Sequence, residues 1–306
     1  MLSTRALVSA RSGPRVARRT PDDWSDRPYE RFVLRPLTPT IGAEVDGVQL
    51  ASALDGELRA ELHRALLEWK VLFFRDQVLD AEEHAGFAHQ WGALEVNPLA
   101  RVGASAPLPG FAQSAGSPVA RLNTGGYENV WHSDTTWRDT PSMGSVLRAV
   151  QVPAVGGDTL WADMGAAYDG LPDDIKARVE GLVAVHDWVQ TFGRNMEASL
   201  RDELRVTFPP VEHPVVRTHP ETGRKTLFVN AAFTTHIVGL DADESTDLVG
   251  FLYRQAAYPE YQCRFRWSVG SVAFWDNRAT QHYASSDYAP HPRHMERVTI
   301  VGDRPH

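Results

Sequence analysis

Beyond about residue 130, the apolar residues of this chain occur in short runs separated by turn residues, and this pattern limits the possible fold more than any other feature. Short runs rich in β-branched and aromatic side chains are typical of strands. The runs cover residues 146–150, 215–218, 226–229, 265–267 and 298–301. Residues 221–224 lie between two of them and are predicted to connect a hairpin. The pattern predicts a β-sandwich or a β-barrel.

Helices are predicted mainly in the first third of the chain. Apolar residues recur at helical spacing from Leu58 to Trp69. Asp80 and Glu83 form a capping-box pattern at the start of a second helix, which Gly92 can end. Residues 171–182 and 243–256 are predicted to be helices that interrupt the strands. Because no repeat or long linker divides the chain, we expect one domain over residues 31–306.

Composition excludes several classes of protein. The 306 residues carry 31 Lys and Arg against 39 Asp and Glu, a net charge of −8, so no nucleic-acid partner is expected. No apolar run is long enough to span a bilayer, so no membrane association is expected. Cys263 is the only cysteine, which excludes an internal disulfide and a cysteine-rich metal site and fits a cytoplasmic protein.

The first 30 or so residues differ from the rest of the chain. The 21 residues before Asp22 contain five arginines and no acidic residue, a pattern that is similar to a transit peptide. The whole chain, however, has 28 arginines and only three lysines, a bias typical of GC-rich bacterial genomes. We therefore favour a disordered N-terminal tail, or a start placed too far upstream, over residues 1–30.

His132 and Asp134 are candidate metal ligands. They lie two residues apart, and on a strand that spacing points both side chains to one face. A His-x-Asp pair alone is a weak indication, since about one is expected by chance in a chain of this composition. His282, which follows a strand-like run and a polar turn, is the candidate third ligand.

Two histidines and one carboxylate leave three positions of an octahedral metal open, which suits non-haem Fe(II). Zinc hydrolysis is the competing use of the same ligands. Arg293, 11 residues beyond His282, favours iron, because a 2-oxo acid that chelates the metal needs a cation at its far carboxylate.

With these residues in place, the chain resembles the TauD/TfdA family of Fe(II)- and 2-oxoglutarate-dependent dioxygenases. The resemblance spans all but about the first 30 residues. It rests on residues 41–45, 71–77, 131–137, 156–159, 213–220, 228–230 and 275–278 and on the region of Arg293. It implies a double-stranded β-helix (jelly-roll) core buttressed by α-helices. It also implies use of Fe(II), 2-oxoglutarate and O2, with succinate and CO2 as coproducts.

The resemblance also assigns roles to individual residues. The family's iron ligands correspond to His132, Asp134 and His282, and its 2-oxoglutarate contacts to Thr159 and Arg293. Its substrate contacts correspond to Arg297, which would hold an anionic group, to the pocket walls Phe192 and Phe233, and to Asn97; Trp137 is a further candidate for the cavity lining. Asn97, Ala100 and Glu128 replace a histidine, a tyrosine and an asparagine of the taurine-type members. These differences favour an anion bulkier than taurine.

The substrate class stays open at this point. An organosulfonate, a sulfate ester or a carboxylate would each suit Arg297, and hydroxylation beside a leaving group would release sulfite or sulfate. A biosynthetic hydroxylase of an amino acid or natural-product intermediate is the alternative, with a zinc hydrolase or a non-catalytic metal-binding barrel behind it. Asp134 argues against a halogenase, in which a small residue leaves that ligand position to halide. Relatives are often dimers or tetramers, so a homo-oligomer is expected.

Overall fold

The computed structural model of the chain describes residues 17–24, 27–95, 111–113, 119–123, 129–193 and 196–306. For residues 111–113 and 119–123 only the backbone is considered. The strands are β1 (Val33–Pro36), β2 (Ala43–Asp46), β3 (Val71–Phe74), β4 (Leu94–Glu95), β5 (Phe111–Gln113), β6 (Val119–Asn123), β7 (Gly144–Gln151), β8 (Thr159–Asp163), β9 (Val183–His186), β10 (Val211–Pro214), β11 (Val216–Thr218), β12 (Lys225–Leu227), β13 (Thr234–Ile237), β14 (Gln262–Phe265), β15 (Val272–Asp276), β16 (Thr280–Ala284) and β17 (His294–Ile300).

The helices begin and end largely at the capping residues that the sequence offers. They are α1 (Gly56–Trp69), α2 (Ala81–His89), α3 (Met164–Asp169), α4 (Asp173–Val179), α5 (Ala198–Thr207) and α6 (Ala242–Tyr253), with a π-helix at Val189–Gly193 and 3-10 turns at Arg254–Ala257 and Pro259–Tyr261. The capping box of α2 is present, because the Asp80 side chain accepts from the Glu83 N–H and the Glu83 side chain accepts from the Asp80 N–H. The two helices predicted in the first third of the chain are confirmed.

Two sheets face one another and form the jelly-roll core that the family resemblance implies. The main sheet has the strand order β1-β2-β3-β15-β7-β17-β6-β5, and β4 also pairs with β17. The second sheet has the order β14-β8-β16. Within these sheets β2 and β3 pair in parallel and every other ladder is antiparallel. A smaller sheet β10-β9-β13 and the hairpin β11-β12 lie beside them.

Each central strand of the main sheet is buried on both faces, which explains its nearly continuous apolar sequence. On the outer face, Phe74 and Phe274 pack with α1 and α2 in one apolar cluster. On the inner face, Phe73 and Trp275 pack with Trp161 of the second sheet in another. Successive strand residues therefore belong to different cores, as the two-residue repeat of a strand requires.

The second sheet has its own apolar cover. Ala162 of β8 belongs to a buried cluster that includes residues of α3, α4 and α6, such as Ile175 and Leu248. With one sheet backed by α1 and α2 and the other by these later helices, the apolar faces of both sheets are enclosed. The space left between the sheets contains the polar residues described below.

The strand and hairpin predictions agree with the structure with shifts of a few residues at the ends. The hairpin β11-β12 is joined by residues 219–224, and β7 and β17 extend beyond the runs at 146–150 and 298–301. Trp267 falls two residues after the end of β14, so the run at 265–267 is only partly a strand. Helices α4 and α6 are shorter than the predicted ranges.

The described part of the N-terminal segment contacts the body of the molecule at Arg19. Its guanidinium lies over the Trp69 ring at 4.6 Å, and its Nε forms an ion pair with Glu68 at 2.9 Å. The Arg19 carbonyl accepts hydrogen bonds from the side chains of Lys70 and Arg224. The boundary at residue 30 and the disordered tail stay predictions. Along the part of the chain that the structure describes, no helix has the length and apolarity to cross a membrane.

Candidate metal centre and active-site cavity

His132 and His282 are held side by side by their backbones. The His132 N–H donates to the His282 carbonyl at 3.1 Å, and the His282 N–H donates to the His132 carbonyl at 2.8 Å. His282 lies in the middle of β16, opposite Trp161 of β8, so its side chain points between the sheets. The two imidazole rings consequently lie 4.2 Å apart between centroids.

Asp134 lies in a turn and not on a strand, so the strand spacing considered for His132 and Asp134 does not apply. Only His132 makes a β-bridge, and Thr135 adopts a positive φ of 55°. The Asn277 side chain replaces strand pairing here, because it accepts from the Asp134 N–H at 2.8 Å and donates to the Asp134 carbonyl at 2.9 Å. Its amide also donates to the Ser142 carbonyl at 3.1 Å, which holds the far end of the turn. The turn still brings the Asp134 carboxylate close to the His132 ring.

The three candidate ligands converge on one point. The Asp134 Oδ1 atom lies 3.9 Å from Nε2 of His132 and 3.9 Å from Nε2 of His282. All three side chains are buried, and their ligand atoms lie within 4.8 Å of one another. His132 Nδ1 donates to the Val130 carbonyl at 2.6 Å, which leaves the Nε2 lone pair directed at the centre.

The protonation of these groups suits metal binding. Burial opposes ionisation of Asp134, but the charge of Arg297 outweighs it with help from the two histidines and lowers the pKa of Asp134 to about 2. Burial, followed by the neighbouring His132, lowers the pKa of His282 well below its usual range. The centre therefore offers a carboxylate and a neutral imidazole, the forms in which these residues bind metals.

Arg297 forms an ion pair with Asp134. It lies on β17, and its Nη1 donates to Asp134 Oδ1 at 2.7 Å. Ser145, on the neighbouring strand β7, donates to the other carboxylate oxygen of Asp134 at 3.2 Å. The guanidinium that was expected to hold a substrate anion thus also contacts a candidate metal ligand.

Thr159 and Arg293 lie together at the starts of β8 and β17. Arg293 immediately precedes β17, and its Nη2 lies 3.3 Å from the hydroxyl of Thr159, the first residue of β8. Its Nε donates to the Gly157 carbonyl at 3.0 Å. Gly157 has a φ of 70°, and a Cβ there would lie 3.1 Å from the Arg293 side chain, so this approach favours glycine.

The predicted pocket walls, Phe192 and Phe233, form part of an apolar cluster beside His132. The Phe233 ring lies 6.4 Å from the His132 ring and 5.7 Å from the Phe192 ring, which the π-helix carries. Trp137 is buried in the same cluster, where it packs edge-on against Phe208. Asn97, Ala100 and Glu128 lie outside the described residues.

Sequence reasoning missed several residues that support the centre. Asn277 and Ser145 hold Asp134, and the Trp267 indole N–H donates to the Thr159 hydroxyl at 3.0 Å. Buried Glu95 forms an ion pair with Arg138. Burial raises the pKa of Glu95, and the charges of Arg138 and Arg297 oppose that rise. Asn277 could have been suspected as a turn residue after a buried strand. The bond from Trp267 joins residues 108 positions apart, so no local pattern indicates it.

A jelly roll with two histidines and one aspartate converging between its sheets is the architecture of a metal-dependent dioxygenase. Residues 34–299 match the family model described as "Taurine catabolism dioxygenase TauD, TfdA family". The chain belongs to this family, as the sequence resemblance indicated. It is accordingly an enzyme of the dioxygenase class.

Curated relatives match over most of their length. An alkylsulfatase of Acinetobacter baylyi is 38% identical over 284 residues, which cover 90% of this chain and 87% of the relative. An alpha-ketoglutarate-dependent sulfate ester dioxygenase of Pseudomonas putida is 36% identical over 280 residues, 89% of this chain and 90% of the relative.

Solved structures agree with the fold. A taurine dioxygenase from Burkholderia xenovorans has a TM-score of 0.76 and 35% identity, covering 90% of this chain and 93% of that one. A protein named AAD-2, solved in complex with Mn(II) and N-oxalylglycine, has a TM-score of 0.77 and 30% identity, covering 90% of this chain and 98% of that one.

Proposed function

We propose that the protein is an Fe(II)- and 2-oxoglutarate-dependent dioxygenase that hydroxylates the carbon next to the sulfate group of an alkyl sulfate ester. One observation carries this proposal: the convergence of His132, Asp134 and His282 on one point between the sheets. Thr159, which is paired with the Arg293 guanidinium, lies opposite Ala284, two residues after His282, and the Phe233 ring of an apolar cluster lies 6.4 Å from the His132 ring.

The donor set fits a divalent iron. Two imidazole nitrogens and one carboxylate oxygen occupy one face of an octahedron and leave three sites for a bidentate 2-oxo acid and O2. The Mn(II) and N-oxalylglycine in the structure of AAD-2 support the same combination of divalent metal and diacid here. When bound, Fe(II) couples O2 to the oxidation of 2-oxoglutarate to succinate and CO2 and to hydroxylation of the substrate.

Thr159 and Arg293 would hold the far carboxylate of 2-oxoglutarate. A guanidinium and a hydroxyl can each donate to a carboxylate, and the two groups lie 3.3 Å apart. Arg293 is positioned by the Gly157 carbonyl through Nε, so its terminal nitrogens are directed toward Thr159. These residues fix the orientation of the diacid and leave its 2-oxo end to the metal.

Arg297 would hold the sulfate group of the substrate. Arginine has five N–H groups, so it can contact Asp134 and an anion at the same time. Phe233 and Phe192 would then line the path of the alkyl chain and exclude water from it. The sulfate ester named for the Pseudomonas putida relative, and the alkylsulfatase of Acinetobacter baylyi, favour this substrate over a sulfonate or a carboxylate.

The products follow from the position of the hydroxyl. One oxygen atom of O2 enters the substrate C–H bond and the other enters succinate. The resulting R–CH(OH)–OSO3⁻ loses sulfate as its C–O bond breaks, and the hydroxyl becomes the carbonyl of an aldehyde. No residue has to supply a nucleophile for this second step.

The test is to incubate the Fe(II)-loaded protein with alkyl sulfates of increasing length, alkyl sulfonates, aryloxyalkanoates and amino acids. We expect alkyl sulfates to give aldehyde, sulfate and succinate in equal amounts, only when O2 and 2-oxoglutarate are present. Sulfate released with an alcohol, without O2, would identify a zinc hydrolase and overturn the proposal. Succinate triggered only by another compound class would overturn the substrate assignment.

Two further properties rest on the sequence alone. We propose that the protein is cytoplasmic and that it forms a dimer or tetramer. Light scattering of the purified protein measures its mass, and a monomer mass of 34.0 kDa at micromolar concentration would contradict the second proposal.

A further inference from the structure

We propose that Trp267 is a positioning residue for 2-oxoglutarate, because it helps to fix the Thr159 hydroxyl as a hydrogen-bond donor. This inference rests on the function proposed above. Trp267 does not itself touch the cosubstrate in this proposal. It acts through the hydroxyl oxygen, on which its indole N–H and the Arg293 guanidinium both converge.

The Trp267 indole, the Thr159 hydroxyl and the Arg293 guanidinium meet at the start of β8. Thr159 pairs with Phe265 of the neighbouring strand β14, and Trp267 follows two residues later. The Trp267 Nε1 atom lies 3.0 Å from Thr159 Oγ1, and Arg293 Nη2 lies 3.3 Å from the same oxygen. Thr159 and Trp267 are buried, with 2% and 6% of their surfaces exposed.

The chemistry of these groups leaves only one way to arrange the hydrogens. An indole N–H and a guanidinium can only donate, whereas a hydroxyl has two acceptor lone pairs and one hydrogen to donate. With both lone pairs of Thr159 Oγ1 occupied, its hydrogen must point to a third direction. Among the described residues, none accepts that hydrogen.

A carboxylate is the ligand that this arrangement recognises. Carboxylate oxygens only accept hydrogen bonds, so an oriented hydroxyl hydrogen and a guanidinium are both complementary to them. If the indole N–H were absent, the hydroxyl could rotate and one lone pair would lose its partner. Preorganisation of the donor would then be lost, and with it part of the affinity for the far carboxylate.

The variant Trp267→Phe removes the N–H and keeps an aromatic ring at the position. The Trp267 ring packs edge-on against Phe265 at 5.0 Å between centroids, a contact that phenylalanine can preserve. Thr159→Val removes the hydroxyl at nearly constant volume. Trp161→Phe is the matched control, because Trp161 belongs to the same ring cluster but its buried indole N–H has no partner among the described residues.

The experiment is calorimetric titration of 2-oxoglutarate into each Mn(II)-loaded variant, with the anaerobic Fe(II)–2-oxoglutarate absorption band as a second readout. We expect Trp267→Phe to raise the dissociation constant about 3- to 10-fold, as for loss of one hydrogen bond, and Trp161→Phe to leave it unchanged. Thermal unfolding of every variant identifies any that is misfolded.

The double variant distinguishes a positioning role from a structural one. If Trp267 acts through the Thr159 hydroxyl, adding Trp267→Phe to Thr159→Val changes the dissociation constant no further. Additive losses, or full affinity in Trp267→Phe, would overturn the positioning role and leave the proposed function intact. Failure of the wild-type protein to bind 2-oxoglutarate would overturn both proposals.

Discussion

The two faces of the main sheet are formed by the same strands but carry side chains of different kinds. Along β17, Met295 packs with residues of the second sheet and Arg297 contacts Asp134, whereas Val298 and Ile300 pack with the helices α1 and α2. The outer face is mostly apolar; Arg148 and Glu296 form an ion pair there, and buried His84 bonds to the Val146 carbonyl. The inner face is a short apolar cluster that ends at the ion pair of Arg297 with Asp134.

This difference separates stability from binding. Area removed from water stabilises the fold wherever it lies, so the outer face can be selected for packing alone. Buried charges stabilise little and are costly when unpaired, so those of the inner face fit a site better than a core. We therefore expect substitutions on the outer face to change the free energy of unfolding, and substitutions on the inner face to change binding.

The largest effect is expected at the centre itself. Asp134→Ala and His132→Ala each remove a candidate ligand, so metal affinity and turnover should fall more than about 100-fold, since even the supporting partners of a ligand are worth about 10- to 100-fold. Calorimetric titration with Mn(II) and succinate formation measure both quantities. Turnover near the wild-type rate in either variant would remove the residue from the proposed centre.

Phe274→Ala tests the outer face of β15. The Phe274 ring is fully buried and lies 5.0 Å from the Trp91 ring and 5.9 Å from the Phe87 ring. Its loss should lower the free energy of unfolding by about 3–5 kcal/mol, as for other buried phenylalanines. Urea unfolding checks this. Metal affinity of the folded fraction should stay unchanged, and a parallel loss of affinity would contradict the separation of the two faces.

His84 makes the outer face sensitive to acid. It is fully buried on α2, Nε2 donates to the Val146 carbonyl at 3.0 Å, and burial lowers the pKa of His84 to about 4. The unfolded chain binds the proton more readily, so this contribution is fully present above about pH 6.5 and is lost as pH falls toward 4, by about 3 kcal/mol. His84→Gln should remove that pH dependence in urea unfolding. His89→Gln, on the exposed side of α2, should not.

Arg297 and Arg148 form a matched pair across the sheet. Both side chains are 14% exposed and both contact a carboxylate, Asp134 on the inner face and Glu296 on the outer face. Arg297→Gln should raise the KM for the anionic substrate about 10- to 100-fold, as for loss of a charged hydrogen bond, and spare 2-oxoglutarate binding. Arg148→Gln should leave KM unchanged and lower stability by about 1–3 kcal/mol. Equal changes of KM in the two variants would contradict the comparison.

The smallest effects are expected at Asn277 and Asn230, two buried asparagines near the centre. Asn277 holds the backbone of Asp134, whereas Asn230 accepts from the Phe233 N–H at 3.0 Å and donates to the Thr136 hydroxyl at 2.9 Å. Asn277→Ala should weaken Mn(II) binding about 10-fold through a looser ligand. Asn230→Ala, equally buried, should chiefly alter substrate KM. The absorption spectrum of the Co(II)-loaded protein should change only for Asn277→Ala. A change in both variants would mean that each substitution disturbs the packing around the centre, and not the Asp134 ligand in particular.

Local sequence was sufficient to predict the main helices and strands and to identify the candidate metal ligands. Helix α2 could be predicted because a capping box and an apolar repeat lie within a few residues of each other. The His-x-Asp pair and His282 could be identified by residue type, and the family resemblance added Thr159 and Arg293. The jelly roll, too, followed from the resemblance rather than from the strand pattern, which left a sandwich or a barrel open.

Only the tertiary structure decided how these residues are held. Asp134 lies in a turn, where the amide of Asn277, 143 positions away, makes the bonds that a neighbouring strand would make. The pairing of Arg297 with Asp134 and the bond from Trp267 to Thr159 likewise join distant segments. Residue type and short-range periodicity are properties of adjacent positions, whereas such contacts exist only once two sheets have packed and fixed which side chains share a buried space.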